Sequence, residues 1–251
     1  MTKIIMHGCN GKMGKMITDI CRMDADAEIV AGIDIADDGT NTYPVYTSLA
    51  DCQEEADVLI DFSNAAAVDS VLDYCVERNL PVVLCTTGLS EAQLDKVEKT
   101  AAKIAVLKSA NMSLGINTLF DLLQRAAKVL APAGFDIEIV EKHHNQKLDA
   151  PSGTALALAD EINHALDDVY SYTFDRSKER KKREKTEIGI SAVRGGTIVG
   201  EHEIIFAGTD EVIEIKHTAY SRAVFAKGAV EAAKFLKGQP AGHYDMRQVV
   251  G

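Results

Sequence analysis

What this sequence lacks narrows its function before any motif is read. There is no run of about eighteen apolar residues to span a bilayer. The start, Met1-Thr-Lys-Ile-Ile-Met6, enters a strand-like segment without the plan of a signal peptide, so the expectation is a cytoplasmic protein with no membrane partner. The five cysteines, Cys9, Cys21, Cys52, Cys75 and Cys85, are odd in number and form no C-x-x-C pair. They read as free, mostly buried thiols rather than disulfides or zinc ligands. No His, Cys and Asp constellation has metal-ligand spacing, and no G-x-S-x-G nucleophile motif is present. Positive charge is scarce: the net charge of -11 disfavours nucleic acid as a partner and leaves an anionic substrate to be drawn by local cations.

What is present is a chain of 251 residues, 46% apolar, enough for one large or two modest domains with a real core. Lys3-Ile-Ile-Met-His7 reads as a strand, Gly8-Cys-Asn-Gly11-Lys-Met-Gly14 as a glycine turn, and Met13, Met16, Ile17, Ile20 and Cys21 as the apolar stripe of a helix. Glu28–Asp34 is a second strand ending in an acid twenty residues after Gly14. Such a unit suits a dinucleotide, since glycines admit the backbone to the pyrophosphate and the helix N-terminus favours negative charge. Gly8, Cys9, Asn10, Gly11, Lys12, Met13 and Asp34 are therefore candidate cofactor contacts, although Asn10 stands where the usual fingerprint has its middle glycine. A tight turn without a ligand is the plain alternative. Asp34 suits ribose hydroxyls and favours NADH; Lys12 and Lys15 leave NADPH acceptable.

Segments 56–62, 81–85 and 104–107 read as buried strands, with helices over 65–79 and 90–103, the latter opened by a Ser90-Glu-Ala-Gln93 capping box. The alternation predicts an α/β fold of Rossmann type, a doubly wound parallel sheet, with ligands beyond the strand carboxyl ends. From about Ser113 the pattern changes to a helix over 114–131, a strand from Asp136, and three alternating segments near 187–193, 197–206 and 211–217. Strands clustered without helices imply a smaller α+β domain with a mixed sheet. Residues 221–237 read as a returning helix. The run Arg176 to Lys185, with seven Lys or Arg interrupted by Glu179 and Glu184, reads as a solvated face, since no aromatics interleave to stack bases.

Chemistry concentrates in Glu141-Lys-His-His-Asn-Gln-Lys-Leu-Asp-Ala-Pro-Ser-Gly-Thr154. If Lys142 to Leu148 stays extended, His143, Asn145 and Lys147 share one face and His144 and Gln146 the other. Ser152 is a good helix N-cap, with Gly153 and Thr154 the first helical positions, whose N–H groups suit a carboxylate. Converging cations imply an anionic ligand or shifted pKa values.

The segment H-H-N-Q-K-L-D-A-P-S-G-T closely resembles the signature of the 4-hydroxy-tetrahydrodipicolinate (dihydrodipicolinate) reductase family of lysine and diaminopimelate biosynthesis. The likeness extends to Gly8–Gly14, Thr86-Thr-Gly88, Ala110-Asn-Met-Ser113, Arg194–His202 and Gly242–Met246. It implies NADH- or NADPH-dependent reduction of a cyclic dicarboxylate, with His143 as proton donor and acceptor and Lys147 as partner acid. By the same resemblance, His144, Gly153 and Thr154 bind substrate, while Cys85, Thr86, Thr87, Ser109, Ala110, Asn111 and Met112 line the nicotinamide half of the cofactor site. Assigning His144 to the substrate requires the chain to twist after His143. The resemblance further implies a dinucleotide domain of residues 1–113 and 218–251, a substrate and oligomerisation domain of 114–217, and a homotetramer. Ile35 departs from the many relatives that carry arginine there to meet the phosphate of NADPH. A dinucleotide-sensing regulator and a dehydrogenase of another amino acid or aldehyde are the rival readings; the regulator has no need of the His-His-Lys cluster.

Overall fold

In the computed structural model, which describes residues 1–178 and 180–251, strand and helix alternate from the start. Glu179, one of the two acids expected to interrupt the basic run, lies outside the described residues. Strand β1 (Thr2–His7) leads through the glycine turn into helix α1 (Lys12–Met23), then to β2 (Ala27–Ile33) and a short β3 (Val45–Tyr46) that the apolar pattern did not reveal. Strand β4 (Val58–Asp61), helix α2 (Val68–Glu77), β5 (Val82–Leu84), helix α3 (Glu91–Ala101) and β6 (Ala105–Leu107) follow. The start of the expected helix over 65–79 is a separate 3-10 turn, Ala65–Ala67, capped by the Asn64 side chain. The Ser90 and Gln93 box caps α3 in both directions, satisfying N–H groups that the helix leaves open.

The middle of the chain forms helix α4 (Leu114–Leu130), strand β7 (Asp136–His143), helix α5 (Gly153–His164), and strands β8 (Ser171–Thr173), β9 (Glu187–Arg194), β10 (Gly200–Ala207) and β11 (Val212–Ala219). Their order is β11-β10-β7-β9-β8, with β10 antiparallel to both β7 and β11, and β9 parallel to β7 and β8. The sheet is therefore mixed. Its inner face alternates strictly along β7, where Ile137, Ile139, Glu141 and His143 are all buried. Ile137, Ile139, Ile188, Ile204 and Phe206 pack on α4 and α5. The same period that buries the isoleucines carries an acid and an imidazole inward.

Helix α6 (Ala223–Leu236), strand β12 (Gly242–Tyr244) and helix α7 (Met246–Val250) complete the first sheet, in the order β12-β6-β5-β4-β1-β2-β3 with every pairing parallel. One face packs on α1 and α6, the other on α2 and α3, as a doubly wound sheet requires. The described chain divides into two compact units, Met1–Leu114 with Ala223–Gly251, and Gly115–Arg222. Since β11 runs to Ala219, the second crossing falls beyond 217, after the strand has ended. Among the described residues no helix is long and apolar enough to cross a membrane.

Candidate active site

In the first unit the turn after β1 is shaped by steric exclusion. Gly8 has φ +83°, and a Cβ there would lie 2.7 Å from the Phe62 carbonyl oxygen; at Gly14 it would lie 2.2 Å from that of Gly8. Neither position admits a side chain. Gly11 is the N-cap of α1 and supplies no side-chain cap, which leaves the first N–H groups of the helix facing outward. Asp34, just past β2, accepts from the Asn10 N–H at 2.8 Å through Oδ2 and from its neighbour Ile35 at 2.8 Å through Oδ1. The carboxylate thus braces the turn and keeps lone pairs for two hydroxyls. A cleft of about 570 Å³ opens between them, lined by Gly8, Asn10, Gly11, Asp34, Ser63 and Asn64 among others. Cradle, helix end and acid fit a dinucleotide.

Three of the expected cofactor contacts, Cys9, Thr86 and Met112, have buried side chains. Cys9 is fully buried, its sulfur against Gly32, and burial followed by the Asp34 carboxylate pushes its thiol up to about 12. It is an inert core residue, and only its backbone can meet a ligand. Met112 packs in the same core and Met13 lies against it. The Thr86 hydroxyl donates inward to Asp61 Oδ2 at 2.6 Å, whereas Thr87 is exposed. Ser109, Asn111 and Cys85 are half-buried, Ala110 and Lys12 exposed. Lys15 is held by Asp38 at 3.1 Å, and Ile35 is 93% exposed. One buried group was missed altogether. Asp61, at the end of β4, accepts from His7 Nδ1 at 2.7 Å and the Ser63 hydroxyl at 2.6 Å as well as from Thr86, tying three strand ends together.

In the second unit the extended reading of 142–148 fails. Strand β7 stops at His143, and the Lys147 N–H closes a turn on the His144 carbonyl at 3.2 Å while Asn145 donates to Gly196 at 3.2 Å. Those local bonds satisfy backbone groups that an edge-free extended segment would leave open. The twist required after His143 is therefore present: His143 is 9% exposed and faces inward, and His144 is half-buried. Ser152 caps α5 through a 3.2 Å bond from the Ala155 N–H, with Gly153 and Thr154 opening the helix.

The centre of this site is Glu141, which is 0% exposed. Its carboxylate takes a bidentate pair from Arg194, Nη1 to Oε2 at 2.8 Å and Nη2 to Oε1 at 2.7 Å, with His143 Nδ1 at 2.6 Å from Oε2 and the Ser152 N–H at 2.9 Å from Oε1. Burial pushes the Glu141 carboxyl up, but the guanidinium, the imidazole and the N–H together outweigh it and hold the group below the usual carboxylate range. Beside it, His202 lies edge-on to His143 with ring centroids 5.2 Å apart, and its Nε2 meets the Ser152 hydroxyl at 3.1 Å. Burial first, then the neighbouring His143, pushes the His202 imidazole down to about 4, so it is neutral at pH 7. Lys147 pairs with Asp149 at 2.8 Å. Lys147 first, and then the Gly153 N–H among weaker causes, holds the Asp149 carboxyl below its usual range. Two carboxylates of the chain thus face these cations, Glu141 at the imidazole and Asp149 at Lys147.

The described residues of the basic run are exposed as expected, apart from the half-buried Arg183. Arg176 pairs with Glu138 at 2.6 Å and with Glu187, and Arg183 reaches Asp136 at 2.9 Å and Glu138 at 3.0 Å. Two of its arginines therefore pin the segment to β7 and β9.

Residues 2–112 match the family model described as dihydrodipicolinate reductase, N-terminus, and residues 115–250 the one described as its C-terminus. The chain is 52% identical, over all of its length and 98% of the relative's, to the 4-hydroxy-tetrahydrodipicolinate reductase of Caldanaerobacter subterraneus subsp. tengcongensis. It is 50% identical, over 98% of its length and 96% of the relative's, to the enzyme of that name from Clostridium tetani. Among solved structures, dipicolinate-bound dihydrodipicolinate reductase from Paenisporosarcina sp. TG-14 shares the fold, with a TM-score of 0.81 at 24% identity, covering 98% of this chain and 97% of that one. The glycine cradle, the parallel sheet and the buried His143 site occur in a chain that belongs to the dihydrodipicolinate reductase family.

Proposed function

We propose that this protein reduces 4-hydroxy-tetrahydrodipicolinate (dihydrodipicolinate) to tetrahydrodipicolinate with a pyridine nucleotide, as a step of lysine and diaminopimelate biosynthesis. The observation that carries the mechanism is a buried imidazole, His143, held by a buried carboxylate beside an ammonium and a helix N-terminus. The first unit binds the cofactor through the 8–13 turn and Asp34, with the backbone of 85–87 and 109–112 completing the site; the second unit binds the substrate. When bound, the nicotinamide supplies the hydride. The remaining work is proton handling. Hydride addition to a conjugated imine leaves an electron-rich enamine, and His143 delivers the proton this product needs, with Lys147 as the partner acid. His144 and the Gly153 and Thr154 backbone and hydroxyl groups hold a ring carboxylate.

NADH serves at least as well as NADPH, because Asp34 and Asp38 oppose a 2′-phosphate and Lys15 is already paired. The enzyme works in the cytoplasm as a homotetramer, which would cover the outer face of the five-stranded sheet. The test is a coupled assay in which the preceding synthase generates the substrate and NADH absorbance is followed. Rapid oxidation that is lost in His143→Ala is expected. No oxidation by the parent protein with either nucleotide would overturn the proposal.

A further inference from the structure

We infer that Glu141 is a positioning residue: clamped by Arg194, it keeps the His143 proton on Nδ1 and makes Nε2 the atom that exchanges protons with the substrate. The inference rests on the proposed role of His143 and adds which nitrogen acts and what selects it. Four observations converge. Glu141 is fully buried, so its charge is not screened by water. Its Oε2 stands 2.6 Å from His143 Nδ1, a distance that requires a proton between them, and the carboxylate is the acceptor because Arg194 holds it ionised. The bidentate guanidinium and the Ser152 N–H leave it one remaining direction, toward the imidazole. The other ring nitrogen, Nε2, lies over Gly200, where a Cβ would approach to 3.1 Å; the glycine keeps that side of the ring clear.

The register explains why these groups meet. Lys142 opposes Glu201 on β10, which sets Gly200 across from His143, while on the other side Arg194 of β9 is paired with His143 itself. The charged and titratable groups around the ring are thus Glu141 on its own strand, Arg194 on β9, His202 on β10 with His217 across from it on β11, and Lys147 on the loop. Glu141 is the carboxylate that touches the ring, and its bond to Nδ1 selects the tautomer.

Glu141→Gln, which removes the charge that holds the Nδ1 proton, should lower kcat by about tenfold or more with KM little changed, and should move the His143 ¹⁵N signals away from the Nδ1–H tautomer. Glu141→Asp, which keeps the charge and lengthens the contact, should fall between. A Glu141→Gln variant that folds and loses activity while keeping the Nδ1–H tautomer would mean a merely structural role and would overturn the inference. Should Glu141→Gln not fold, histidine-selective ¹⁵N NMR of the parent protein, assigned with His143→Asn, decides the matter: a neutral ring with its proton on Nδ1 and none on Nε2 is expected, and the reverse tautomer refutes it. That spectrum is independent of turnover, so a protein that shows the Nδ1 tautomer but no reductase activity would count against the proposed function and not against this arrangement.

Discussion

His202 should make the protein lose stability in mild acid, well before its carboxylates protonate. Burial, followed by the charge of His143, lowers this imidazole from an ordinary value of 6.5 to about 4 in the folded protein, and the side chain is 5% exposed. Between those two values the unfolded chain binds a proton that the folded chain refuses. Stability therefore falls as pH falls below 6.5, and the loss levels off below about 4. Full development amounts to on the order of 3 kcal/mol, and the part expressed between pH 8 and pH 5 is about 2 kcal/mol. His202→Gln keeps an amide near the Ser152 hydroxyl and cannot titrate. Urea unfolding of both proteins at pH 8 and pH 5 gives the difference directly, since His217, whose imidazole burial also lowers, remains in each. The parent should lose about 2 kcal/mol more than the variant over this interval. Equal losses, within about 0.5 kcal/mol, would show that His202 protonates in place and that its burial exerts no such force.

Lys147→Ala should lower turnover by about a hundredfold to ten-thousandfold, with NADH affinity measured by fluorescence titration nearly untouched. Lys147→Arg restores the charge but cannot release a proton near neutral pH, so it should recover substrate affinity more than rate; an arginine variant that turns over like the parent would make Lys147 an electrostatic clamp. Steady-state kinetics should show NADH at least as effective as NADPH, and about a hundredfold preference for NADPH would contradict the reading of Asp34 and Ile35. Light scattering at micromolar concentration should give a tetramer; a monomer would remove the argument that other subunits cover the five-stranded sheet.

Much of the fold was legible in the sequence because its signals are local. The stripe from Met13 to Cys21, the Ser90 box, the apolar strands ending in Asp61 and Leu107 and the Ser152 cap each follow from spacing or turn chemistry within a few residues. The short strands at 45–46, 171–173 and 242–244 did not show, since two or three residues cannot display a period and their edge positions come from neighbours far away in the chain. The extended reading of 142–148 failed for the same reason in reverse: alternation was carried past His143, where the bond from Lys147 to His144 turns the chain. Had the period been started at Ile137 instead, Glu141 and His143 would have fallen on the buried face, and a buried acid beside a buried histidine is a signal in itself.

The sequence by itself thus determined where the dinucleotide turn lies, which loop carries the histidines and lysine, and which family they resemble, because steric demands on glycine and capping demands on helices are written residue by residue. Tertiary structure alone decided what each of those side chains touches. Arg194 reaches Glu141 across 53 positions because β9 lies parallel to β7 in one register, and His202 meets His143 because β10 lies antiparallel on the other side. A shift of one residue in either pairing would turn those side chains to the opposite face. The state of the imidazole is thus set by hydrogen bonds and burial that exist only once the five-stranded sheet has closed around Glu141.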